Sequence, residues 1–208
     1  MGFPMHPLDK ALGDIHSIRR QVARTTEFRG YGAATLAATG VFAMIAAAAQ
    51  YLLLPDPANH LGNYLRIWGT TAVVSATLIG MQTLTRTRRM HSDLADEMIL
   101  MAVEQFLPSV GAGALVSIVL IRFVPGSAWL LPAFWQITFS LGVFASCRFL
   151  PRPMAVAGAW YLLTGLTCVG LGDARALTPW TMGIAYGVGQ LIVAAVLLWG
   201  SKEDRDEI

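Results

Sequence analysis

Charge is what this sequence has least of, and the shortage is uneven. Asp, Glu, Lys and Arg make up 13% of its 208 residues, against about 25% in an ordinary soluble domain. Whole stretches carry none, while hydrophobic residues reach 55%. A net charge of +2 is too small for a phosphate-binding surface, which excludes nucleic acid as an expected partner. Cysteine is nearly absent. The two present, Cys147 and Cys168, lie in apolar runs and imply no disulfide framework. None of His6, His16, His60 and His91 falls inside a charge-free run, so no histidine pair can grip a haem between spans. No local cluster of His and Cys suggests zinc, and neither metal nor cofactor is expected. The first ten residues, MGFPMHPLDK, lack the apolar core of a secretory signal, so the first apolar run is expected to stay in the mature protein.

What is present is six charge-free runs. They cover residues 30–55, 67–85, 105–121, 123–147, 153–172 and 176–201, with lengths of 26, 19, 17, 25, 20 and 26. A membrane-spanning helix needs about 20 apolar residues, with a range of about 17–25. Only the third run is short, and Glu104 and Arg122 at its ends can extend it by reaching toward headgroups. The expected fold is all-α: a polytopic membrane protein built as a bundle of six transmembrane helices. The spans fall at about 33–54, 64–85, 104–124, 129–149, 153–172 and 179–200 within a membrane domain of residues 30–201. Ahead of it, residues 1–29 are expected to form an amphipathic helix. Leu8, Leu12, Ile15 and Val22 make one stripe there, and Lys10, Arg19, Arg20 and Arg24 lie off it. Residues 202–208 are expected to be a short, disordered polar tail.

Basic residues orient the bundle. With the N-terminus in the cytoplasm, twelve of the fifteen Lys and Arg fall on that side, including Arg86, Arg88, Arg89, Arg148 and Arg152. Only Arg66, Arg122 and Arg175 remain outside, one per external turn. The chain therefore reads as three hairpins in a bacterial-type plasma (inner) membrane, with both termini cytoplasmic. A faint repeat accompanies this reading. Trp68, Trp129 and Trp180 open the even-numbered spans near the outer interface, where aromatic belts form.

The most charged interior stretch is residues 86–108. Ser92 suits a helix N-cap, and Asp93, Asp96 and Glu97 fall in the first turns, where the helix dipole favours anions. Asp93, Asp96, Glu97 and Glu104 share an arc of about 100°. The sequence predicts a short interfacial helix here, redirected into the third span at Pro108, which cannot donate a backbone N–H. The acidic stripe either meets water and the neighbouring arginines or faces a partner. Glu104 lies deepest, and a carboxylate near hydrocarbon is usually paired or functional. Arg148, at the end of the fourth span, is the expected partner for it. His91 heads the stretch and titrates near neutral pH, although an exposed loop histidine is the simpler reading.

Inside the spans the polar residues are mild. Gln136 and Gln190 either hydrogen-bond between helices or line a polar cavity. Gly183 and Gly187 form a GxxxG pattern, whose usual meaning is close helix approach, within one chain or across a homo-oligomer. Catalytic constellations are missing. There is no GxSxG, no P-loop and no dinucleotide fingerprint, and a serine nucleophile would lack its intramembrane histidine. Asp96-Glu97 resembles the opening of the paired-acid motif of prenyl-endopeptidase-type membrane proteases. The arginine and later histidines of that family are missing, and the resemblance ends there. The expectation is a small non-enzymatic membrane protein, a sensor, regulator or accessory subunit, surrounded by lipid and binding a cytoplasmic protein partner. The alternative is an oligomeric transporter or channel.

Overall fold

The computed structural model describes residues 32–90, 93–147 and 153–206. The N-terminal amphipathic helix, Ser92, His91, Arg148 and Arg152 lie outside the described residues. Six α-helices and two 3-10 turns make up the described part. They are α1 (Ala33–Leu53), α2 (Leu61–Met90), α3 (Asp93–Phe123), α4 (Leu131–Ser146), α5 (Met154–Leu171) and α6 (Pro179–Asp206). The 3-10 turns Pro125–Leu130 and Ala174–Leu177 lead into α4 and α6. Five helical segments are long and apolar enough to cross a membrane: Ala33–Leu53, Glu104–Phe123, Pro125–Ser146, Met154–Leu171 and Pro179–Trp199. A helical, multi-pass membrane protein is the class these define. Among the described residues α2 is not one of the five; Gly69, Thr70, Thr71, Ser75, Thr77, Gly80 and Gln82 stand among its aliphatic residues.

Neighbouring helices follow the order α2, α1, α6, α5, α4, α3, with α2 and α3 touching only lightly to close the ring. The tightest seam is α1 against α6, the first and last helices. Lipid is as apolar as leucine, so helices in it associate through close packing and hydrogen bonds rather than by escape from water. Small residues make that packing possible here. Ala43, Ala46 and Ala47 are buried on α1, and Gly40 lies so close to α6 that a Cβ there would sit 2.9 Å from the Gly187 carbonyl oxygen. Leu54, Tyr64, Trp68, Leu177 and Met182 share one core cluster at the turn end of the bundle. Val143, Met154, Ala157 and Val196 form another toward the opposite end. Much of the remaining apolar surface is exposed, including Val73, Met81, Leu107, Leu115, Leu163 and Leu198.

Two expectations need correction. Residues 93–123 form one helix of 31 residues with Pro108 inside it, so no separate interfacial helix precedes the third span. Pro108 withholds a single backbone N–H, the one aimed at the Glu104 carbonyl, and helical bonds on both sides carry the helix through. The tail also differs: α6 continues to Asp206, so residues 202–206 are helical rather than disordered.

α2 and α3 run on past the ends of α1 and α4. The Gly32 N–H, at the start of α1, donates to Gln82 Oε1 at 3.3 Å, which sets the level at which α1 begins alongside α2. α2 continues from there to Met90. On the other side, Gly142 of α4 packs against Phe106 and Ser109; α4 continues four residues further to Ser146, and α3 runs about nine residues past that end to Asp93. At about 1.5 Å per residue, α2 runs on the order of 12 Å past the start of α1 and α3 a similar distance past the end of α4; α6, level with Gly40 at Gly187 and helical to Asp206, also overruns the start of α1. Two residues, 91 and 92, join the projecting ends of α2 and α3.

Candidate functional site

The bundle is stitched by side chains that cross from helix to helix. Gln50 of α1 is fully buried; its Nε2 donates to the Leu177 carbonyl at 2.7 Å, and its Oε1 accepts from Trp68 Nε1 at 2.7 Å. Trp135 Nε1 donates to Ser117 Oγ at 2.7 Å, tying α4 to α3. Trp160 Nε1 donates to the Ala185 carbonyl at 2.9 Å, tying α5 to α6. Ser140 Oγ donates to the Gly158 carbonyl at 2.8 Å between α4 and α5. One indole N–H thus secures each of the three sequential hairpins. Such bonds between spans contribute about 0.6–2 kcal/mol each.

Two of these indoles share a register. Trp68 reaches back 18 residues to Gln50, and Trp135 reaches back 18 to Ser117. The hairpin resemblance suggested by Trp68, Trp129 and Trp180 has better anchors in the first two hairpins, at Trp68 and Trp135. Trp68 itself is buried within the core rather than set at a wet interface. Trp180 is exposed and lies beside Tyr51, with ring centroids 6.3 Å apart.

Gln136 stands where α4, α5 and α6 converge. It is fully buried, and its Nε2 donates to the Thr181 carbonyl at 3.1 Å with Cys168 Sγ and Met182 Sδ each at 3.8 Å. Its Oε1 accepts nothing. Three more buried polar atoms share that condition: Tyr64 Oη, Tyr161 Oη and Gln190 Oε1. The Tyr64 ring stacks on Trp135 at 6.3 Å and 15°. Tyr161, Tyr186 and Phe139 form a cluster of tilted and edge-on rings at 4.7–5.5 Å, and the Tyr161 hydroxyl packs against Gly189. No Asp, Glu, Lys, Arg or His is buried among the described residues, so the interior is polar without formal charge.

The other sequence candidates are scattered. Asp93, Asp96 and Glu97 fall in the first turns of α3. Glu104 lies on the same helix and is exposed; Arg148, its expected partner, is outside the described residues. Gly183 and Gly187 lie against α1, where a Cβ would meet Ala47 at 2.5 Å and Met44 Sδ at 2.9 Å respectively. Gln190 is half-buried beside them, with its Cβ next to Gly40. At the turn end, Arg175 Nε donates to both Asp173 carboxylate oxygens at 2.9 Å and its Nη2 donates to the Leu171 carbonyl at 3.0 Å. Arg175 holds the Asp173 carboxyl below the usual carboxylate range. The Asn59 side chain does the same for Asp56.

Sequence reasoning passed over Tyr64 and Tyr161. Their signal was available, since each phenol hydroxyl must enter the bundle with its ring and there needs a partner. No family model matches the chain, and neither does any curated protein or solved structure.

Proposed function

We propose that this is a six-span, non-enzymatic protein of a bacterial-type inner membrane that binds a cytoplasmic protein through the projecting ends of α2 and α3. In this reading both termini are cytoplasmic, as the basic residues require. α2 serves as the sixth span. Its residues 67–85 carry no charge, and its attachments run from Tyr64 and Trp68 to Gln82, the full length of α1. The observation that carries the proposal is the helical overhang. Two continuous helices leave the bundle carrying Arg86, Arg88 and Arg89 on one and Asp93, Asp96 and Glu97 on the other. A protein that needed only to span the membrane could turn at the interface; an overhang of opposite charges suits a partner surface. Lipid covers the remaining apolar faces.

Neutralising Asp93, Asp96 and Glu97 together to Asn, Asn and Gln tests this. Affinity capture from cross-linked membranes should lose a cytoplasmic protein that the wild type retains. An unchanged set of captured proteins counts against the proposal. The alternative, an oligomeric transporter or channel, depends on Glu104. That residue is exposed on the surface of its own bundle and would have to meet a second copy. Unchanged flux in Glu104→Gln vesicles removes it from any pathway.

A further inference from the structure

Where α1 begins, the two helices that flank it keep going. Gly32 is level with Gln82 of α2, to which its N–H donates at 3.3 Å, and α2 runs on to Met90. On the other flank Gly40 lies against Gly187 and Ala47 against Gly183, so α1 and α6 are antiparallel. Ala33 is therefore level with roughly residues 194–197 of α6, which continues to Asp206. α1 packs against both helices and lies between them. It starts at the floor of a notch whose walls, the ends of α2 and α6, stand on the order of 12–15 Å high at about 1.5 Å per residue. Residues 1–31 are joined to α1 at Gly32, so the chain passes this notch on its way into the bundle.

The walls differ in charge. Beyond Gln82, α2 carries Arg86, Arg88 and Arg89 and no acid, while the end of α6 carries Glu203, Asp204 and Asp206 beside Lys202 and Arg205. The entering segment has the opposite signs at matching levels. At helical rise, Glu27 comes level with the 86–89 stretch of α2 and Arg24 with residues 203–206 of α6. Arg20 follows Arg24 at a spacing of four, and Glu203 and Asp206 are three apart, so each pair shares one helix face. We propose that the notch is occupied by this chain's own N-terminal segment, seated by Arg20 and Arg24 on Glu203 and Asp206, with Glu27 toward the arginines of α2. The like charge of Arg86, Arg88 and Arg89 turns Arg20 and Arg24 to the α6 side. Exposed ion pairs contribute little one by one, but the tether at Gly32 makes this pairing intramolecular and raises the local concentration. Seating does not depend on a cytoplasmic partner.

The test uses the full chain, purified without other proteins, in nanodiscs of neutral phosphatidylcholine that offer no anionic surface to a basic segment. Cys147→Ala and Cys168→Ala clear the background, Ala23→Cys and Ser201→Cys place one thiol on each side, and a short bismaleimide joins thiols that lie close. An intramolecular cross-link should form. Glu203→Lys with Asp206→Lys should slow it at least fivefold, and adding Arg20→Glu with Arg24→Glu should restore the rate to within twofold. None of these four residues belongs to a core cluster, so the bundle itself is kept. A rate that the lysines leave unchanged would mean that the tether alone brings the thiols together, and would overturn the proposal. So would a loss that the exchanged charges do not restore. No cross-link in neutral discs would overturn it as well, and protection of residues 1–31 from protease on adding anionic lipid would then assign the segment to the membrane surface.

Discussion

The two seams of the ring differ in what holds them. Along α1–α6 the backbones themselves meet, with Gly40, Gly183, Gly187 and the alanines of α1 letting them approach closely. Along α2–α3 the helices touch lightly, and their glycines face open space: a Cβ at Gly69, Gly80 or Gly111 would meet nothing within 4 Å. The same residue type therefore has opposite meanings in one molecule. On α1–α6 glycine is required by contact; at Gly69, Gly80 and Gly111 it only weakens helical propensity.

The strongest way to break this contrast is at Gly40. Gly40→Leu drives a side chain into the Gly187 carbonyl, a backbone atom that cannot rotate away, and should destabilise the bundle by about 3 kcal/mol or more. Gly80→Ala should be neutral or stabilise by up to about 1 kcal/mol. Unfolding in mixed micelles reads both, and equal effects would erase the distinction between the seams. Next in size is Gln50→Leu, which leaves the Trp68 N–H and the Leu177 carbonyl without their partner and should destabilise by about 2 kcal/mol. Thr77→Val on the exposed side of α2 is its control, since that hydroxyl bonds only the Val73 carbonyl of its own helix. Trp135→Phe should lose about 1 kcal/mol with the Ser117 bond, and a double-mutant cycle with Ser117→Ala checks that the loss is theirs.

The smallest effect belongs to the turn end. Asp173 has its carboxyl depressed by Arg175, so its contribution is present above the ordinary carboxylate range and is lost as pH falls through the depressed value. The pair is exposed, with side chains at 69% and 52% for Arg175 and Asp173, and solvent screening keeps its effect slight. Asp173→Asn should flatten any fall in melting temperature below about pH 4. An unchanged acid slope would assign that fall to other carboxylates.

The runs without charge were legible because hydrocarbon tolerates so little charge, and five of them map onto apolar helices of spanning length. Residues 67–85 sit at the margin for a physical reason. Thr70, Thr71 and Thr77 satisfy their hydroxyls on carbonyls three or four residues back, which fits a helix in lipid yet lowers its apolarity. Pro108 misled, because one missing N–H reads in sequence as a boundary while a long helix absorbs it. The interior polar group was harder still. Gln136 stood out as a polar residue in an apolar run, but Tyr64 drew no reading, and its burial against Trp135 depends on a stacking between α2 and α4 that no spacing encodes.

The tightest seam also dictates an order of assembly. Trp68 and Gln50, or Trp135 and Ser117, are 18 residues apart and can pair as soon as each hairpin is made. Gln50 and Leu177 are 127 residues apart, and α6 follows later still. During synthesis α1 therefore enters the membrane with its small-residue face bare and waits for the last helix before its main partner exists. A ribosome stalled after α5 leaves that face open, and any quality-control protease that recognises bare small-residue faces would meet the nascent chain at α1.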